Sequence, residues 1–70
     1  MNWHEVKGNW KRIRGQVRQT WGKLTENDLE VIDGRREELA GRLQTRYGYE
    51  RERAERESDE FIRSLTVPHV

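Results

Sequence analysis

Apolar residues recur through the first third of the chain at intervals of three and four: Trp3, Val6, Trp10, Ile13, Val17, Trp21 and Leu24. A helix gathers such positions on one face, whereas a strand would scatter them over both. The stripe therefore predicts helix. Asn2 followed three residues later by Glu5 has the form of a capping box, which starts the first segment. Gly8 interrupts the pattern and Asn9 stands where a new cap is needed. A short helix, a bend and a longer helix are expected. The longer one should end at Trp21, with Gly22 as the left-handed residue beyond it.

Helical spacing resumes after a short connection. Thr25 with Asp28 reads as another cap, Leu29 and Ile32 follow on one face, and Asp33-Gly34 marks a second bend. Leu39, Leu43 and Tyr47 form the next buried stripe, closed by Gly48, with Glu38 and Arg42 in i, i+4 order on the outer side. Residues 50–65 contain neither Gly nor Pro and alternate Arg with Glu, with Glu52–Arg56 and Asp59–Arg63 as supporting pairs. Their apolar content is confined to Ala54, Phe61, Ile62 and Leu65, which predicts a helix docked by its far end and solvated along its near half. The segment 66–70, which contains Pro68, is expected to be a mobile tail.

The six glycines fall into two triplets, at 8, 15, 22 and at 34, 41, 48, spaced by seven and offset by 26. The same offset aligns Asn2 with Asp28, Trp3 with Leu29, Val6 with Ile32, Ile13 with Leu39, Val17 with Leu43, and Trp21 with Tyr47. This is the signature of a duplicated helical unit. Gly15 and Gly41 fall inside helices, where each costs about 1 kcal/mol relative to alanine. Close approach of two helix backbones would offset that cost. The expected fold is all-α: one domain over residues 1–70, a small bundle of four to five helices. In it two repeated units pack crosswise beside a charged C-terminal helix.

With 70 residues, 31% hydrophobic and 39% charged, the core must be thin. The absence of cysteine excludes a disulfide framework and a thiolate metal site. No apolar run exceeds two residues, so neither a signal peptide nor a membrane-spanning helix is expected, and the cytoplasm is the default compartment. Net charge is +1 but unevenly spread. Residues 1–23 carry six basic side chains and one acidic, while residues 24–34 carry four acidic and no basic ones. That asymmetry is a hint of a charged partner.

The sharpest local candidate is the edge formed by Lys7, Lys11, Arg14 and Arg18, spaced four, three and four, with Trp10 beside it. Cations next to an aromatic ring suit a polyanion such as a nucleic acid. One repeat further on, the same positions are Asp33, Glu37, Ala40 and Gln44. If the two edges face each other, the charges pair inside the molecule instead. An exposed Trp10 amid unpaired cations would mark a binding face, and a buried Trp10 amid paired charges an internal seam.

Catalysis finds less support. His4 and His69 lie near opposite ends, without partners at metal-ligand spacing, and Ser58 and Ser64 have no histidine within helical reach. The carboxylates are interleaved with arginines, which keeps them ionised and unsuited to acid–base work. No catalytic, cofactor-binding or metal-binding residue is assigned. The expectation is a non-enzymatic protein whose partner is a second copy, another protein or, as the alternative, nucleic acid.

The run Gly8-Asn9-Trp10-Lys11, then Gly15, then Trp21-Gly22-Lys23-Leu24-Thr25 resembles the CsbD-like family of small bacterial stress proteins. The likeness continues through Asp28-Leu29, Gly34, Leu39, Gly41 and Arg46-Tyr47-Gly48-Tyr49, and covers residues 2–49. Arginine at positions 12, 14, 18, 35 and 42 departs from the lysine the family often carries, and the Arg/Glu-rich terminal helix lies beyond the likeness. The resemblance implies an all-helical bundle, expression under general stress and a bacterial cytoplasm. It implies no enzymatic activity, cofactor or catalytic residue.

Overall fold

The structure, a computed structural model, describes residues 1–65. Among them are five helices and no strand: α1 (Trp3–Gly8), α2 (Trp10–Thr20), α3 (Glu26–Ile32), α4 (Arg36–Tyr47) and α5 (Arg51–Ser64). The expected tail at 66–70 lies outside the described residues. Both capping boxes read from the sequence are formed. The Asn2 side chain accepts from the Glu5 amide at 2.8 Å while Glu5 accepts from the Asn2 amide at 3.0 Å. Thr25 and Asp28 exchange the equivalent bonds at 2.9 and 3.1 Å. Each box satisfies amide donors that the first helical turn leaves unpaired.

Two boundary expectations need correction. Asn9 does not cap α2 forward; its Nδ2 donates back to the Glu5 carbonyl at 2.9 Å and so closes α1. Nor does Gly22 take a left-handed conformation. Helix α2 ends a residue early, with Trp21 as C-cap at φ −124°, and the Leu24 amide turns back onto the Trp21 carbonyl at 3.1 Å. Among the described residues, positive φ occurs at Asp33 (45°), Gly34 (78°) and Gly48 (70°). The bend at 33–34 and the stop at Gly48 are thus where the sequence places them.

The apolar stripes meet in one core. Val6, Trp10, Ile13 and Val17 come from the N-terminal helices, Leu29 and Ile32 from α3, and Leu39 and Leu43 from α4. Helix α4 packs on α3 and, more extensively, on α5. Helix α5 docks along its length, not by its far end alone, because Ala54 in its first half and Ser58 near its middle are fully buried ahead of Phe61 and Ile62. The Ser58 hydroxyl donates to the Ala54 carbonyl at 2.8 Å, so its burial leaves no unpaired polar group. Trp21 completes this layer against Phe61, ring centroids 5.2 Å apart.

The glycines behave differently from expectation. A Cβ built on Gly15 or Gly41 would meet nothing within 4 Å, so no neighbouring backbone approaches either position. Val17 and Leu43 do share the core, but the backbone contact inferred from the 26-residue offset is not found. The close approach occurs at Gly34, where an added Cβ would lie 2.5 Å from the Lys7 Cα and 3.0 Å from its nitrogen. There the α3–α4 bend presses against α1, and only glycine combines that proximity with φ of 78°. Gly34→Ala is expected to destabilise by about 2–4 kcal/mol, from left-handed strain plus overlap. Gly15→Ala is expected to stabilise by about 0.5–1 kcal/mol. Urea denaturation midpoints of the two variants check both signs.

Candidate interaction surface

Helix α2 presents its basic edge beside α3. Of the residues singled out from the sequence, Trp10 is removed from that edge: its ring is 7% exposed and its Nε1 donates to the Leu29 carbonyl at 3.0 Å. Arg14 and Arg18 converge on one carboxylate, that of Glu26 at the start of α3, with Arg18 NH1 to Oε1 at 2.8 Å. The expected opposing positions, Asp33 and Glu37, make neither bond. With Trp10 held at Leu29, the acid next to Arg14 and Arg18 is the one a turn earlier on α3. Lys7, Lys11 and the neighbouring Arg12 are exposed and form no ion pair among the described residues. These three cations border one open depression at the α1–α2 bend, with Asp33 on its far rim. The edge is therefore split into a free cationic half and a half held by Glu26.

Sequence reasoning read Asp28 only as a capping residue. The structure buries it completely. Arg46 grips its carboxylate with two bonds, Nε to Oδ2 at 2.8 Å and NH2 to Oδ1 at 3.0 Å, and Arg42 approaches Oδ1 at 3.3 Å. With the Thr25 amide also donating, every approach to the carboxylate is occupied. Arg46 chiefly, and Thr25 after it, hold the carboxyl at about 2 against the opposing pull of burial. Arg42 is thus committed to Asp28 and does not form the expected pair with Glu38. A signal for this existed: Arg42 and Arg46 are like charges at i, i+4, an arrangement that repels unless an anion lies between them.

The other end of α4 is held similarly. Arg36 binds Asp59 of α5 with Nε to Oδ1 at 2.8 Å and NH2 to Oδ2 at 2.9 Å, and Trp3 Nε1 donates to the same Oδ1 at 3.3 Å. Arg36 first, with Trp3 and the charge of Arg63 also contributing, lowers the Asp59 pKa. On α5 itself Arg51–Glu55 and Arg53–Glu57 are bonded i, i+4 pairs, and Glu52 and Arg56 are not paired with each other. Where α4 gives way to α5, Tyr47 and Tyr49 stack with centroids 5.3 Å apart. Lys23 lies over the first ring and Arg53 over the second, at 5.1 and 4.0 Å.

These polar groups hold helices together. His4 is exposed beside Trp3, Lys7 and Arg36, and His69 lies outside the described residues. Among the described residues no cluster of His, Asp or Glu is placed to hold a metal ion. Nor, among the described residues, is any helix long and apolar enough to cross a membrane.

Comparison with known proteins matches residues 4–56 to the sequence profile described as CsbD-like. The chain belongs to the CsbD-like family. A UPF0337 protein of Pectobacterium atrosepticum is 54% identical over 57 residues, covering 81% of this chain and 83% of that one. UPF0337 protein YjbJ of Escherichia coli K12 is 49% identical over 57 residues, with 81% and 83% covered. A UPF0337 protein of Protochlamydia amoebophila is 51% identical over 61 residues, with 87% and 92% covered. The CsbD-like match takes in α1 to α4 and the start of α5. It contains Asp28, Arg42 and Arg46 but stops short of Asp59.

For this CsbD-like chain the buried carboxylate sets an acid limit. A carboxyl at about 2 in the folded protein and ~3.9 unfolded contributes about 2–3 kcal/mol. That contribution is complete above the unfolded value and disappears as pH falls through the folded one. Asp28→Asn is expected to destabilise by about 3 kcal/mol at neutral pH, since two guanidinium groups lose their counter-charge. The difference from wild type should shrink between about pH 4 and 2 in urea titrations.

Proposed function

We propose that this CsbD-like protein is a non-enzymatic stress-response protein of the bacterial cytoplasm, acting by association with another macromolecule through its charged surface. The supporting observation is the cationic group on α1 and α2: Lys7, Lys11 and Arg12 are exposed and make no ion pair among the described residues. A cluster of one sign draws an anionic partner and speeds encounter with it. The Trp10 and Trp21 rings take no part, because they fill the core. Among the described residues the exposed large hydrophobic side chain is Met1, at 38%. Permanent homodimers rest on apolar interface cores, so self-association, the other partner suggested by the sequence, is the weaker reading.

The protein is expected to be retained on immobilised heparin at about 50 mM salt and released as salt rises. Lys7→Ala/Lys11→Ala/Arg12→Ala should elute markedly earlier. Free passage of the wild type would remove the polyanion partner. A melting temperature unchanged across a hundredfold range of concentration is expected, and a rise with concentration would restore self-association.

A further inference from the structure

The convergence of Arg14 and Arg18 on Glu26 has an implication for which anionic partner the surface takes. Two guanidinium groups from successive turns of α2 meet a single oxyanion group, and such planar forks suit a phosphate as well as a carboxylate. Glu26 is 62% exposed at its side chain, so it lies in solvent over the edge and is not locked beneath it. Exposed pairs of this kind contribute about 0–1 kcal/mol. Lys11, Arg14 and Arg18 are three and four residues apart and share one flank of α2, and Lys7 extends that flank across the bend. From Lys11 to Arg18 the flank runs about 10 Å along the helix axis, the reach of about three phosphates on one strand of a duplex.

From this geometry we infer that the α1–α2 edge is a surface for the phosphate backbone of duplex nucleic acid, and that Glu26 is an internal anion occupying half of it. Lys7, Lys11 and Arg12 contact phosphates, while Glu26 cancels much of the charge that Arg14 and Arg18 would add. The inference rests on the charged-surface reading above and names its partner. A duplex fits better than a lipid surface, because interfacial helices insert an apolar face and here that face is buried in the core. Contacts to phosphates carry no sequence information, so binding should be indifferent to sequence.

The test is the salt dependence of binding to a random-sequence DNA duplex, measured by fluorescence anisotropy on the full chain. Three contacts predict a slope of log affinity against log salt near −2.7 for wild type. Glu26→Gln keeps the size of the side chain and removes its charge. It should steepen the slope by about 1.8, equivalent to two added phosphates, and tighten binding about tenfold at low salt. Arg14→Gln/Arg18→Gln in the Glu26→Gln background should return the slope to the wild-type value. The same double change in wild type should move it by less than 0.9, one phosphate, which tests the masking even if Glu26→Gln fails to fold. Wild-type binding with the Glu26→Gln slope unchanged, or a double-variant slope falling by the full 1.8, would overturn the masking and leave the charged-surface reading intact. Retention on heparin without duplex binding, or binding to phosphatidylglycerol vesicles alone, would overturn the duplex assignment. Failure on heparin as well would overturn both.

Discussion

A carboxylate with no accessible surface sits between α3 and α4, and much of the molecule is arranged so that it can remain charged there. Removing Asp28 from water is costly unless its oxygens are fully occupied. Thr25 from its own helix and Arg42 and Arg46 from the next one occupy them. The constraint is mutual. The bidentate grip sets where the last turns of α4 lie against the first turn of α3, and the cap that starts α3 shares an oxygen with that grip. At the far end Arg36 and Asp59 repeat the device between α4 and α5, with Trp3 drawing α1 to the same carboxylate. Helix α4 is thereby pinned at both ends by arginine–aspartate forks.

This arrangement suits a chain with few apolar residues. A core of small volume cannot by itself select one register among its helices, since Leu and Ile contacts tolerate sliding. Two planar, bidentate pairs do not tolerate it, because a shift of one turn would leave a guanidinium and a carboxylate unmatched. The core supplies the driving force and the forks choose the alignment. Gly34 adds a steric condition of the same kind, admitting the Lys7 backbone where no side chain fits.

What was legible in the sequence followed from local rules. The three–four spacing of Trp3 to Leu24 gave the helical stripe, the Asn2–Glu5 and Thr25–Asp28 pairs gave two starts, and Gly48 gave a stop. Each of those features is decided within four residues of itself. What was not legible depended on neighbours distant in sequence. Gly15 and Gly41 carry a helical cost that suggests close packing, yet a glycine's cost does not say whether anything lies beside it. Glu38 and Arg42 satisfy the helix pairing rule, but a buried carboxylate across the helix interface outcompetes an exposed one on the same helix. The candidate edge was half legible. Its cations are where the spacing put them, while Trp10 points inward because its N–H finds the Leu29 carbonyl and its ring fills space that smaller residues would leave empty.

The uneven attachment of the helices has a consequence for how the molecule loosens. Helices α3, α4 and α5 are successive in the chain and pack on one another most extensively, so their association closes only short loops. Among the contacts that join α1 and α2 to that unit, the three indoles act as pegs seated in it: Trp3 at Asp59, Trp10 at Leu29 and Trp21 at Phe61. When heat or denaturant works on the protein, the cationic N-terminal segment is the part held by contacts between residues far apart in sequence. It would come away first, carrying its positive charge with it, while α3, α4 and α5 stay packed.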